Sequence, residues 1–142
     1  MLNTFNSFIQ NDLLFSQETE INLNENTYSE GYIQRKDEII EIFIDTPFKE
    51  KYTIENDKII VFDFEFNQTQ TFSISNNESV LINVLKRGAN LNQVKDLTDK
   101  SFKINLNKES LYIELLSDNI FEITYKDNMN FNNVITLKTI NS

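Results

Sequence analysis

The chain contains no cysteine, no histidine and no tryptophan, and only two glycines and one proline. Without cysteine there are no disulfides and no thiolate metal sites. Without histidine there is no Ser-His nucleophile, no imidazole base and no His-ligated zinc. Gly31 and Gly88 stand alone, so no glycine-rich loop can cradle a phosphate. No run of about 18 apolar residues occurs, so no helix spans a membrane. The opening "MLNTFNSFIQND" has neither a basic start nor a long apolar stretch, and does not read as a secretory leader. The chain is expected to be either cytosolic or a mature form whose leader has been removed. Positive charge is scarce too: 13 Lys and Arg stand against 22 Asp and Glu, a formal net charge of −9. No basic face is available for nucleic acid, and polybasic attachment to anionic lipid is disfavoured.

What the chain has is periodicity. Its 142 residues suit one domain, taken as 1–142. Leu2, Phe5, Phe8 and Ile9 recur at helical spacing and predict a short helix over 2–10. From Leu13 the period becomes two, predicting strands over 13–23, 31–36, 38–45, 51–55, 59–66 and 70–75, with 22–31 as a turn or loose strand end. Pro47 interrupts pairing, and Asn56-Asp57 suits a hairpin turn. Val80, Leu81, Val84 and Leu85 mark a helix over 77–87. Asn76 or Asn77 is placed to cap its start, and Gly88 to stop it. Residues 90–97 add a short helical segment, and alternation returns around Phe102–Leu106, Leu111–Leu115, Phe121–Tyr125 and Ile135–Leu137. The predicted class is mainly β with a few helices. The expected architecture is an open, incomplete antiparallel β-barrel or strongly curved sheet, with helices covering its concave apolar face.

Chemistry has little to work with. Asp63 and Glu65, or Glu18 and Glu20, share strand faces, but paired carboxylates on a solvated face are the ordinary outcome, and no histidine is available as a partner base. No catalytic residue, metal ligand or cofactor site is assigned, and no enzyme activity is expected. The remaining signal is aromatic. In "IIVFDFEFNQTQTF" (59–72), Ile60, Phe62, Phe64 and Phe66 fall on one side of a strand, and Ile59, Val61, Asp63 and Glu65 on the other. With Phe15, Phe43, Phe48, Phe72, Phe102 and Phe121, these rings are either ordinary core or the wall of a ligand cavity. Pattern alone does not separate the two.

The order of several motifs resembles the periplasmic lipoprotein carriers, the LolA family. "FDFEFNQT" (62–69) is similar to the family's Tyr-Asp-Pro-Glu-Leu-x-Gln motif, with Asp63, Glu65 and Gln68 at the polar positions and Phe64 in place of proline. "FSQ" (15–17) resembles its first-strand Phe-x-Gln. Gly31, "RK" (35–36), Phe43 and "TPF" (46–48) follow its Gly, Arg-Pro, Trp and Pro series in order, although the Arg-Pro pair and the Trp are absent. "NDKIIVFD" (56–63) resembles its hairpin, and "FEITYKDNMNFNNVITL" (121–137) a later one. The resemblance implies a carrier whose cavity, lined by Phe15, Phe43, Phe48, Ile60, Phe62, Phe64, Phe66, Phe72, Phe102 and Phe121, holds the acyl chains of a lipoprotein crossing the periplasm. It implies a lid helix bearing Val80, Leu81, Val84 and Leu85, latched by Arg35 or Lys36. Polar groups such as Gln17, Thr19 and Gln68 would temper affinity at the mouth. Implied partners are acylated lipoproteins or another lipid ligand, an inner-membrane release complex and an outer-membrane receptor. A monomer is expected, with no nucleic acid. The alternatives are the same fold with a different apolar ligand, and a ligand-free structural or interaction module.

Overall fold

The computed structural model describes residues 1–73, 80–106, 109–127 and 129–140. Helix α1 (Leu2–Phe8) opens the chain. Six strands follow: β1 (Leu13–Asn22), β2 (Glu25–Lys36), β3 (Ile39–Thr46), β4 (Glu50–Glu55), β5 (Lys58–Asp63) and β6 (Gln68–Ser73). Helix α2 (Val80–Arg87) and a 3₁₀ turn (Leu91–Gln93) precede β7 (Val94–Lys95), β8 (Ser101–Leu106), β9 (Glu109–Ser117), β10 (Ile120–Lys126) and β11 (Asn132–Thr139). All eleven strands among the described residues belong to one open sheet, ordered β6-β5-β4-β3-β2-β1-β11-β10-β9-β8-β7, and each neighbouring pair runs antiparallel. The fold is therefore mainly β.

Turn chemistry explains the connections. Asp37, Asn56 and Asn67 adopt φ of 54°, 52° and 53° between successive strands, a backbone region that Asn and Asp tolerate best after glycine. Strand β2 begins earlier than the apolar pattern suggested. Residues 25–30 are polar on both sides, yet they pair with β1 through Glu18↔Tyr28 and Glu20↔Asn26. Strand β5 ends earlier. Asp63 Oδ1 accepts the Glu65 and Phe66 N–H groups at 2.9 and 3.1 Å and folds the chain into a turn. The expected strand 59–66 is thereby corrected, and Phe64 and Phe66 leave the ladder. The expected caps at Asn76 and Asn77, and the Val80 side chain, lie outside the described residues.

Cross-strand partners share a face, so the register assigns every strand's inner side. One row runs Ile135–Gln17 and Leu137–Phe15; others run Leu13–Ile33–Ile42–Tyr52–Val61 and Ile40–Ile54–Ile59. On the other half of the sheet, Phe121, Ile123, Ile113, Leu111, Phe102 and Ile104 carry the same face. Of these, Leu13, Phe15, Ile33, Ile40, Ile54, Phe102, Ile104, Leu111, Ile113, Phe121, Ile123, Ile135 and Leu137 are buried as the core, with Ile42 and Ile59 packed against it. They are joined by Phe5, Phe8 and Ile9 from the α1 region and by Val84 and Leu85 from α2. Phe5 meets Phe102 and Phe121 edge-on, with ring centroids 5.5 and 5.3 Å apart, the arrangement that aromatic quadrupoles favour. Gly31 lets β2 and β3 approach: a Cβ there would lie 1.7 Å from the Phe43 carbonyl oxygen.

Phe121→Ala should cost about 3–5 kcal/mol of unfolding free energy, because Phe121 is fully buried. Phe66→Ala, in the exposed turn, should cost less than about 0.5 kcal/mol. Urea unfolding of both variants checks this, and comparable losses would contradict the face assignment.

Candidate functional site

A cavity of about 260 Å³ lies against the inner face. Phe15 and Gln17 from β1, Ile33 from β2, Ile42 and Ile44 from β3 and Tyr52 from β4 line one side. Ile123, Ile135 and Leu137 from β10 and β11, with Leu81 and Leu85 from α2, complete it. Gln17 and Tyr52 carry its polar side-chain atoms, and among the described residues no charged side chain lines it.

The helices are tied at one end of this face. Arg35 Nε donates to the Ile9 carbonyl at 2.9 Å, and its Nη2 donates to the Leu85 carbonyl. The Arg35 backbone N–H donates to Asp12 Oδ1 at 2.9 Å. Burial lowers the Arg35 pKa, and the nearby Asp12 charge opposes that shift; a guanidinium remains charged regardless. Asn6 in α1 clasps Ala89 just beyond α2, donating to its carbonyl at 2.9 Å and accepting from its N–H at 2.8 Å. Gly88 takes φ +75° and closes α2 with a 2.8 Å bond to the Val84 carbonyl. Lys86 Nζ reaches the Asn56 carbonyl at 2.8 Å.

The other end of the face is polar. Asp127 Oδ1 accepts the Met129 and Phe131 N–H groups, each at 3.0 Å, and its Oδ2 accepts Asn133 Nδ2 at 3.0 Å. Partial burial raises the Asp127 pKa, but the hydrogen bonds from Asn133, Phe131 and Met129 outweigh it and hold this carboxyl below its ordinary value. Asn133, 2 % exposed, accepts at Oδ1 from Thr19 Oγ1 at 2.6 Å and from Gln17 Nε2 at 3.0 Å. Gln17 Nε2 also donates to the Tyr125 hydroxyl at 3.3 Å. Burial is the main cause that raises the Tyr125 phenol; the Gln17 bond opposes it, and Asp127 and Glu109 reinforce it. Tyr52 is likewise raised, by burial and then by Glu50.

The predicted site residues separate sharply. Phe15, Leu81 and Leu85 line the cavity, while Val84 is buried in the core beside it. Phe102 and Phe121 are packed core beneath Phe5. Phe43 is on the opposite face, stacked on Tyr32 at 4.5 Å, with Lys51 Nζ 5.4 Å from its ring centre; strand alternation sends Ile42 and Ile44 inward in its place. Ile60 and Phe62 pair with Thr53 and Lys51, which places them on the outer side, so the expected inward stripe is reversed. Phe48, Phe64 and Phe66 lie in connections and are exposed. Phe72 has inward parity but sits exposed on edge strand β6. Of the two latch candidates, Arg35 contacts α2, and Lys36 lies 4.0 Å from Glu41. Sequence reasoning missed Ile33, Ile42, Ile44, Tyr52, Ile123, Ile135 and Leu137 as cavity wall. Among the described residues no group of three or more acidic side chains is arranged to hold a metal ion. No family model and no curated protein matches the chain.

Glu50 gives a pH test. Burial, and then the Asp63 charge, raise its pKa. A carboxyl raised in the folded state is unfavourable when ionised, so Glu50→Gln should raise Tm at pH 7. The gain should fade as pH falls from the folded pKa through the unfolded one, because Glu50 is then protonated in both states. Thermal melts at pH 7 and pH 3.5 check the sign; an equal gain at both would contradict it.

Proposed function

We propose that the protein is a binding protein for hydrocarbon chains, a carrier in the manner of the LolA-like lipoprotein chaperones, rather than a catalyst. The observation that carries this reading is the cavity itself: nine of its eleven lining side chains are hydrocarbon, and strands β4 and β10 both reach it. Those strands are five ladder steps apart in the sheet order, roughly 24 Å on a flat sheet at the usual strand spacing. A cavity of about 260 Å³ touched by both is best accounted for by a sheet that curls around it as an incomplete barrel. The path of the chain agrees. Residues 74–93 must join β6 to β7 at opposite edges, and roughly 48 Å of flat sheet would leave no slack for a helix packed near the middle.

In this reading α1 and α2 cover the concave side, and Arg35 is the latch holding α2. Each buried methylene of a ligand is worth about 0.8 kcal/mol. The cavity falls just below the roughly 300–1,000 Å³ usual for ligand sites, so the closed state accommodates one chain segment. More acyl chains enter only as α2 moves off the face. Acylated lipoproteins are the cargo by resemblance, with another lipid as the alternative. The periplasmic setting and the release complex and receptor belong to the same resemblance. A second reading, a ligand-free interaction module, is favoured by the exposed Phe64 and Phe66 at the β5–β6 turn.

Nile red titration separates the two. The delipidated protein should bind the dye, and Ile42→Phe, which fills the cavity, should weaken binding at least about tenfold with Tm unchanged or raised. Phe62→Ala, on the outer side, should leave it unaltered. Absence of binding by the native sequence would favour the interaction module.

A further inference from the structure

The polar network at the far end of the cavity has a direction. Ionised Asp127 only accepts hydrogen bonds. Its Oδ2, together with the Phe131 carbonyl at 3.1 Å, therefore requires the Asn133 amide to present Nδ2 on that side. Asn133 Oδ1 is then left facing β1, where it accepts from Thr19 and from Gln17 Nε2. Gln17 uses its amide nitrogen on Asn133 and on the Tyr125 hydroxyl. Its carbonyl oxygen is what it has left to offer, and among the described residues Oε1 has no partner. Gln17 is also part of the cavity wall. A chain of acceptor-to-donor constraints starting at a carboxylate thus ends in an acceptor beside a hydrocarbon cavity.

Electrostatics point the same way. Glu50 pairs with Ile44 and Asp63 pairs with Glu50, so two carboxylates share the inner face with the cavity wall. Arg35 is spent on the Ile9 and Leu85 carbonyls at the helical end. At Gln17 a bound carboxylate would meet an acceptor, with Glu50 and Asp63 on the same face and, among the described residues, no cation in the wall to offset them; the Tyr52 hydroxyl is a donor elsewhere in that wall.

We propose that the cavity selects a single-chain amphiphile whose head donates a hydrogen bond and carries no negative charge, bound through that head to Gln17 Oε1, with Asp127 and Asn133 as positioning residues. Hydroxyl, amide N–H and ammonium heads share this chemistry. Free fatty-acid anions and acceptor-only ethers do not. The inference rests on the reading that the cavity takes hydrocarbon chains, and it names the head group that this cavity prefers.

Displacement of Nile red from the full chain by 1-dodecanol, dodecyl methyl ether, dodecylammonium and dodecanoate at pH 8 tests it. Simple partitioning favours the ether over the alcohol. A donor-specific site should reverse that order, with dodecanol roughly fivefold tighter than the ether, dodecylammonium no weaker than the ether, and dodecanoate weakest. Gln17→Leu should restore the partitioning order, with the ether again tighter than dodecanol. If that variant does not fold, Asp127→Asn, which frees Asn133 to turn over, should narrow the alcohol preference. Ether binding as tight as dodecanol, dodecanoate as tight as either, or an alcohol preference that survives Gln17→Leu overturns the proposal. Dye uptake with such an order defeats the head-group inference and leaves the carrier reading standing, whereas no dye uptake at all defeats both.

Discussion

Edge-to-edge pairing from β6 to β7, with register shifts at Glu20/Asn22, Glu30/Gly31 and Ile120/Phe121, is the constraint on which the rest of the molecule depends. In an eleven-stranded antiparallel sheet, a slip of one residue at any ladder would send the following strands' apolar side chains to the wrong face. Gly31 guards one of these ladders. Its missing side chain admits the Phe43 carbonyl, where a Cβ would stand at 1.7 Å. That approach brings Gly31 opposite Ile44, and Ile33 opposite Ile42, across β2 and β3. The cavity wall on this side of the sheet follows from those pairings. So does the outer face, where Glu41 and Lys51 approach to 2.7 Å beside the stacked Tyr32 and Phe43 rings.

The two ends of the inner face are built from different physics. At the helical end, backbone carbonyls are collected by side chains. Arg35 serves Ile9 and Leu85, Asn6 serves Ala89, and Lys86 serves Asn56. Helix ends leave carbonyls that need such partners, and a guanidinium fork can satisfy two at once. At the polar end, a nearly buried amide is satisfied only because an ionised carboxylate, a threonine and a glutamine surround it. Leaving any one member unpaired there would cost more than the bond itself contributes. The apolar cavity lies between the side-chain ties at the helical end and this polar network.

Much of this was legible from the residues, and the rest was hidden for specific reasons. The helix ending at Gly88 and the hairpin turn at Asn56 could be read from periodicity and turn chemistry, whereas a side chain at Arg35 or Lys36 reaching the helices was implied only by the family resemblance. The inward face could not. Strands β3 and β5 are apolar on both sides: Ile40, Ile42 and Ile44 oppose Ile39 and Phe43, and Ile59 and Val61 oppose Ile60 and Phe62. Alternation names two faces without ranking them, and the larger rings drew the assignment outward. The ranking comes from long-range pairing with Leu13 and Ile33. Asp63 turns the chain before Phe64 and Phe66 can extend β5, a side-chain-to-backbone effect that a period-two count does not register. The Gln17–Asn133 contact joins strands far apart in sequence. Its trace was present, since Gln17 is in phase with Leu13 and Phe15, and Asn133 with Ile135 and Leu137. Polar residues at inward parity are the feature that marks such a network.

The central claim is that the inner face at Phe15, Ile42 and Ile135, and not the outward Phe62 stripe, receives a hydrocarbon chain. Native mass spectrometry of the protein as isolated, compared with the Ile42→Phe variant, tests it most directly. The account predicts a bound species of lipid mass on the native sequence, lost on collisional activation and absent from Ile42→Phe. A lipid adduct retained by Ile42→Phe and lost from Phe62→Ala would contradict it.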